Sequence, residues 1–192
     1  YVKDIQSEAQ AKRMLDSVRH LLTSPKIKMC GANFKFDLTW FKVAWGLDCT
    51  NFTFDTLIAG SMIDENRSNS LENHAKIYTT MGGYDAIFNR TFDKARMDLV
   101  PKDQLLQYLG GDVDAVLRVA RKIKREMVEV PCLANLYINI VHPAARAFEK
   151  VEQRGILVDP AKFEELRVEI EGKYGNGGVV AELTNKALSL LP

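Results

Sequence analysis

The chain has 192 residues, 46% of them hydrophobic, so it can form one large domain or one domain with an appendage. Its formal net charge of +1 excludes a global basic field, and any nucleic-acid site must therefore be local. The three cysteines, Cys30, Cys49 and Cys132, show neither metal-ligand spacing nor a paired framework, which is typical of a reducing compartment. We find neither a signal peptide nor a membrane-spanning apolar run, and we expect no membrane partner.

The first third of the chain alternates helical and extended patterns. Residues 7–23 are apolar at helical spacing and predict an amphipathic helix. Short apolar runs at 27–30 and 52–54 predict two strands that lie next to each other in a sheet. A helix is expected after each strand, at 37–45 and at 56–63. This is an α/β arrangement, and because a two-stranded sheet is marginal by itself, we expect an exposed apolar face or a partner that covers it.

The remaining two thirds are predicted to be helical apart from one long segment. A short helix begins at Ser70, whereas 79–100 has little periodicity and predicts an irregular loop, either functional or merely solvated. The helical pattern at 102–130 carries five basic residues between 118 and 125, which form either a phosphate-binding face or a solvated helix face. We place a module boundary near Pro131 to Leu136 and expect residues from about Leu136 onward to pack outside the core of the first module. Further helical patterns follow at 133–154, 160–174 and 179–192.

Two short motifs place polar side chains where a ligand can bind. Asn33 and Asp37 lie four residues apart at a turn where a predicted strand ends, and open α/β sheets bind ligands at that edge. Tyr108 and Asp112 are also four residues apart, so they share one face of a predicted helix. A carboxylate with a carboxamide beside it can hold a metal ion and a substrate. Asp37 alone is also open to a simpler interpretation, that it N-caps the helix that follows it.

The order of these motifs resembles a known family. Asn-x-x-x-Asp followed by Tyr-x-x-x-Asp resembles the second and third motifs of the DEDDy 3′–5′ exonucleases. The wider match resembles the proofreading domain of family A DNA polymerases, the DNA polymerase I type, and it includes 52–63 and 142–160. The resemblance implies an α/β, RNase H-like exonuclease fold over 1–131, with its N-terminal strands missing. It also implies a helical linker and the start of the polymerase thumb over 132–192.

The resemblance also implies a site and a reaction. Asp37 and Asp112 would each bind one of two divalent ions, Mg²⁺ or Mn²⁺, that lie roughly 4 Å apart and clamp a phosphodiester. Tyr108 would orient the attacking water, and Asn33 and Lys35 would contact the single-stranded 3′ end of DNA. Clustered carboxylates repel one another, so a metal-free site would have raised pKa values. The implied function is the proofreading 3′–5′ exonuclease of a DNA-directed DNA polymerase, with the remainder of that polymerase as partner. The implied location is cytoplasmic, in a bacterial nucleoid or a phage-infected cell, and an organelle stays open.

One feature of the family has no counterpart in these residues. The first motif, Asp-x-Glu, does not occur before Gly31, so the sequence holds two of the family's four metal-binding carboxylates. We therefore expect this chain by itself to bind metal poorly. Two alternatives stay open: a free-standing DEDDy exonuclease of the RNase D or Werner type, and an inactive exonuclease-like module that serves as a scaffold for a polymerase. The segment at 155–159 favours a polymerase over the RNase D type.

Overall fold

A small parallel sheet and a large set of helices make up the chain. The computed structural model describes residues 7–172 and 177–189. Strands β1 (Met29–Gly31) and β2 (Phe52–Asp55) pair in parallel, as predicted, with Gly31 opposite Asp55. The helices are α1 (Glu8–Thr23), α2 (Phe34–Trp45), α3 (Thr56–Ile63), α4 (Leu71–Tyr78), α5 (Ala86–Thr91), α6 (Lys102–Glu129), α7 (Pro131–Leu136), α8 (His142–Arg154), α9 (Pro160–Glu171) and α10 (Gly178–Ser189).

The chain divides into two compact units after Gln153. In the second unit α9 and α10 pack against each other. Asp159 caps α9 by accepting hydrogen bonds from the first-turn N–H groups, and Pro160 occupies the first helical position, as the sequence indicates. None of the helices in the described ranges is both long enough and apolar enough to cross a membrane.

One buried carboxylate fixes the beginnings of two helices in the first unit. Asp55 ends β2, is 1% exposed, and accepts hydrogen bonds from the backbone N–H groups of Leu57 at 2.9 Å and Ile58 at 3.3 Å. It thereby caps α3. The same carboxylate accepts from the N–H groups of Asn33 at 3.2 Å and Phe34 at 2.9 Å. The turn after β1 is therefore tied to the end of β2.

Because of this second pair of hydrogen bonds, α2 begins earlier in the chain than the sequence pattern predicts. The helix begins at Phe34, so the interpretation of Asp37 as its N-cap is wrong, and Asp37 lies in the first turn. The N-cap position is Asn33, which has a left-handed backbone conformation (φ 53°) and makes no capping bond with its own side chain. Asp55 satisfies the free N–H groups from outside the helix, so a local cap is unnecessary.

Two apolar clusters form the core of this unit. One joins β2 to α6 and includes Phe54, Val119, Ile123 and Tyr137. The other joins α1, α2 and β2, and Leu22, Leu38, Leu47, Cys49 and Phe52 are its buried members. Trp40 and Val43 of α2 lie outside these clusters and are 58% and 71% exposed. They form an exposed apolar surface on this helix.

Residues after Leu136 contribute to this core, so the expectation that they pack outside it is wrong for 137–149. Tyr137 is 2% exposed, and its hydroxyl accepts a 2.7 Å hydrogen bond from the Asp55 N–H. His142 Nε2 lies 3.2 Å from the Phe52 carbonyl, and Arg146 donates to the Cys49 carbonyl at 2.6 Å. The backbone around β2 has polar groups that need partners, and these side chains provide them. The assignment of 132–192 to the polymerase part stays a prediction.

The segment at 79–100 is more regular than its sequence pattern indicates. It contains α5 and a short 3₁₀ helix, Lys94–Leu99, whose first turn is capped by Asp93. Phe88 in α5 is buried and stacks on Tyr108 of α6, with ring centroids 4.1 Å apart. This tertiary contact orders a helix that is too short to show a period in the sequence.

Candidate active site

Asp37 and Asp112 line the same cavity, which has a volume of about 300 Å³. Asp37 reaches it from the first turn of α2, just past the end of β1, and Asp112 from the middle of α6. Cys30 and Gly31 at the end of β1 also line it. The cavity therefore lies outside the carboxyl end of a parallel strand, where open α/β sheets bind ligands. The carboxylates of the two motifs, far apart in sequence, are brought together here.

A tyrosine from the segment at 79–100, which was predicted to be an irregular loop, orients Asp112. The Tyr84 hydroxyl donates a 2.5 Å hydrogen bond to Oδ1 of Asp112. Gly111 makes this approach possible, because a Cβ at that position would lie 2.8 Å from Cδ2 of the Tyr84 ring. Sequence reasoning missed Tyr84, which lies 28 residues from its partner in a stretch without periodicity. The one available signal was the glycine next to Asp112, since a glycine inside a helix often marks a close approach.

Tyr108 lies beside the carboxylate cavity rather than in its lining. Its ring stacks on Phe88 and has the Lys94 Nζ 5.4 Å from its centroid. With Tyr84, it lines a neighbouring cavity of about 550 Å³. Burial, reinforced by the charge of Asp112, raises the pKa of Tyr108 to about 12. The phenol therefore stays protonated at neutral pH and can donate a hydrogen bond to a carboxylate or to water.

Both cavity carboxyls have raised pKa values, which is the expected direction for a metal-free site. The cause differs from the expectation, because burial is the main contributor to the raised pKa of Asp37 and of Asp112. Repulsion makes a smaller contribution, from Asp55 to the pKa of Asp37 and from Asp85 to that of Asp112. Hydrogen bonds from the two tyrosines act in the opposite direction on the pKa of Asp112.

Replacing Asp37 by asparagine is expected to stabilise the protein at pH 7 in a chelating buffer. The pKa of the Asp37 carboxyl is raised in the folded protein, so the folded state holds this proton more tightly than the unfolded state does. The free energy of unfolding therefore falls as the pH rises from the unfolded-state pKa to the folded-state pKa, and the loss is complete at pH 7. Denaturant titrations at pH 7 and at pH 3 should show that the gain in free energy of unfolding shrinks on acidification. Glu65→Gln, which removes an exposed carboxylate from a loop, is the control for lost charge. Equal stability of Asp37→Asn and wild type at pH 7 would contradict this.

The two residues predicted to bind DNA lie in a separate groove. Asn33 and Lys35 line a cavity of about 480 Å³ together with the exposed aromatic residues Phe36 and Trp40. The Lys35 Nζ is 2.6 Å from a carboxylate oxygen of Glu152. The lysine charge is therefore paired, and a phosphate would compete with Glu152 for it.

The cavity carboxylates suit a hard cation but form only part of a ligand set. Across residues 7–172 and 177–189, no group of three or more His, Cys, Asp and Glu side chains is placed to hold a metal ion. Mg²⁺ is commonly bound by one or two carboxylates, with water and substrate phosphates completing its shell. Asp37 and Asp112 fit that pattern, and a cation would offset the cost of burying their charges.

Replacing Tyr84 by phenylalanine is expected to weaken Mn²⁺ binding by the complete protein by about tenfold. Groups that orient a metal-ligating carboxylate typically contribute 10- to 100-fold to affinity. The phenylalanine ring still fits against Gly111, so only the hydrogen bond to Asp112 is lost. Calorimetric titration would measure the affinity. Tyr78→Phe, which removes a hydroxyl bonded to Glu126 outside the cavity, is the matched control. Unchanged affinity in Tyr84→Phe would show that this bond does not orient a ligand.

Comparison with known proteins gives a consistent set of matches. The model of a 3′–5′ exonuclease family matches residues 2–128, well over half of the chain. A DNA polymerase of Escherichia phage T5 is 26% identical over 176 residues, and one of Bacillus phage SP01 is 29% identical over 160 residues. DNA polymerase I of Chloroflexus aurantiacus is 24% identical over 167 residues. These matches cover 83%, 80% and 84% of the chain, which spans 20%, 17% and 17% of these relatives.

Proposed function

The chain belongs to the 3′–5′ exonuclease family of family A DNA polymerases, and from this premise we propose that it hydrolyses 3′-terminal nucleotides of DNA in the cavity lined by Asp37 and Asp112. The shared cavity is the observation that carries the proposal, because it unites the two motif carboxylates. The fold we propose for the exonuclease part is RNase H-like. The rest of a polymerase chain is the proposed partner, in a bacterial nucleoid or a phage-infected cell, since the matched relatives are phage and bacterial polymerases.

The side chains have separate roles in this reaction. Asp37 and Asp112 would hold divalent ions, Mg²⁺ or Mn²⁺, which when bound stabilise charge on the attacking and leaving oxygens of the phosphodiester. Tyr84 keeps Asp112 in position through its hydrogen bond. Tyr108, protonated at neutral pH, can donate to the water that attacks phosphorus. Asn33, which lines the separate groove rather than the carboxylate cavity, would contact the DNA strand near its 3′ end.

A second candidate is an inactive exonuclease-like scaffold. It is favoured by the lining of the cavity, to which the described residues contribute two carboxylates, Asp37 and Asp112, and no cluster of three ligands. The RNase D type has less support, because the relatives reported above are named as DNA polymerases.

The test is a nuclease assay on the complete protein with 3′-labelled DNA, since the chain spans about a fifth of its relatives. We expect release of 3′ nucleotides that needs Mg²⁺ or Mn²⁺ and is faster from a mismatched end, because paired bases resist unstacking. If no nucleotides are released in the presence of metal ions, the result would support the inactive scaffold instead. Faster trimming of an RNA of the same sequence would support the RNase D type.

A further inference from the structure

A second cavity lies on α6, away from the carboxylates, and we propose that it binds the phosphodiester backbone of DNA. Its volume is about 420 Å³. Four cationic residues of α6 form one side, and two threonines just past the end of α4 form part of the other: Arg118, Arg121, Lys122, Arg125, Thr79 and Thr80. Guanidinium groups match phosphate oxygens in geometry, and the Thr80 hydroxyl can add a further donor, whereas the Thr79 hydroxyl already donates to the Ala75 carbonyl. The choice of DNA as the ligand rests on the proposed exonuclease function.

Three of the four cationic side chains in this cavity lack an ion pair among the described residues. Arg118 pairs with Asp114 at 2.8 Å, but Arg121, Lys122 and Arg125 form no ion pair within the part of the chain that the structure describes. Glu126, the nearest carboxylate in sequence, instead accepts a hydrogen bond from the Tyr78 hydroxyl at 3.3 Å. An anionic ligand would neutralise this unpaired charge.

The spacing of these cations differs from that of an ordinary solvated helix face. Solvated faces commonly pair opposite charges at positions i and i+4, as Asp114 and Arg118 do. Among the cavity cations the pairs at that spacing are like-charged, Arg118 with Lys122 and Arg121 with Arg125. Lys122 and Arg125 also have Glu126 and Glu129 four residues further along the helix, but neither forms an ion pair with them in the described part of the chain. Like charges at i and i+4 destabilise a helix, so two such pairs on one face favour a ligand that offsets the repulsion.

The basic cavity is distinct from the candidate active site. Arg121 follows Asp112 by nine residues, which is about two and a half helical turns, so the two side chains are on opposite faces of α6. The axial separation is about 13 Å. From Arg118 to Arg125 the helix advances about 10 Å, which corresponds to about three phosphates of one DNA strand. The basic cavity would thus hold the DNA backbone while the 3′ end occupies the cavity lined by Asp37 and Asp112.

The experiment is a DNA-binding titration of the complete protein at several salt concentrations, in a chelating buffer that prevents cleavage. The probe is a single-stranded oligonucleotide, with a duplex as a second arm. The test variant is Arg121→Gln/Lys122→Gln/Arg125→Gln. The matched control is Lys12→Gln/Arg13→Gln/Arg19→Gln, which removes two arginines and one lysine, all exposed, from α1. Cleavage of a dinucleotide, too short to reach both cavities, is measured in parallel.

If the cavity binds phosphates, log affinity should fall less steeply with log salt in the test variant than in the wild type. For single strands the slope should be smaller in magnitude by about 2, because each of the three lost phosphate contacts contributes about 0.7. The α1 control should keep the wild-type slope, and dinucleotide cleavage should be unchanged in both variants. A wild-type slope in the test variant, or an equal decrease in the control, would overturn the proposal. Because the titration needs no cleavage, absent dinucleotide hydrolysis in wild type would count against the exonuclease function alone.

Discussion

Replacing Asp112 by alanine in the complete protein is expected to abolish 3′ trimming while any polymerase activity stays largely intact. The variant removes one of the two carboxylates of the cavity and the acceptor of the Tyr84 hydroxyl. Even groups that only orient a metal ligand contribute 10- to 100-fold, so loss of the ligand itself should cost at least about a hundredfold in rate. Release of a labelled 3′ nucleotide and extension of a primer would be measured on the same preparation.

Asp103→Ala is the matched control, because Asp103 is an exposed aspartate in the first turn of the same helix. It should trim DNA at the wild-type rate. Equal loss of trimming and extension in Asp112→Ala would point to a folding defect. Wild-type trimming by Asp112→Ala would exclude this carboxylate from the site.

Replacing Asp55 by alanine is expected to lower the free energy of unfolding by about 3–5 kcal/mol. An N-cap contributes about 1 kcal/mol, and each buried donor left without a partner costs about 1–3 kcal/mol. Asp55 accepts from four backbone N–H groups, those of Asn33, Phe34, Leu57 and Ile58, so both α2 and α3 would lose their starting contacts. Denaturant unfolding monitored by circular dichroism would measure the change.

Two further variants serve as controls for the loss of the Asp55 carboxylate. Asp93→Ala removes an exposed cap that accepts one hydrogen bond, from the Ala95 N–H, and should cost about 1 kcal/mol or less. Asp55→Asn keeps the oxygen that serves three donors and loses mainly the bond from the Phe34 N–H. It should therefore be less destabilising than alanine. A cost for Asp55→Ala no larger than that for Asp93→Ala would show that the carboxylate does not organise the turn.

The elements with a long or repeated pattern could be predicted from the sequence. The helix at 7–23 begins with a residue type that commonly caps helices, since Ser7 accepts a hydrogen bond from the Gln10 N–H. The two strands are adjacent, as predicted. A glycine ends α2, and Gly46 has the positive φ of 64° that a left-handed helix end needs. These features depend on residues close together in the chain.

Contacts between distant residues could not be read from local patterns. The bond from Tyr84 to Asp112 spans 28 residues, and the bond from the Asp55 N–H to Tyr137 spans 82. The start of α2 was misplaced for the same reason, since the partner of its first N–H groups lies 21 and 22 positions away. The motif carboxylates were found because each motif has a fixed local spacing, whereas the residues that orient them do not.

The most direct test of this active site is a crystal structure of the complete protein grown with Mn²⁺ and a short single-stranded DNA. We expect anomalous density for Mn²⁺ in the cavity, at a coordination distance of about 2 Å from carboxylate oxygens of Asp37 and Asp112. The 3′-terminal phosphodiester should lie against that density. Terminal nucleotides bound elsewhere, with no Mn²⁺ density between these two carboxylates, would contradict the assignment of this cavity as the active site.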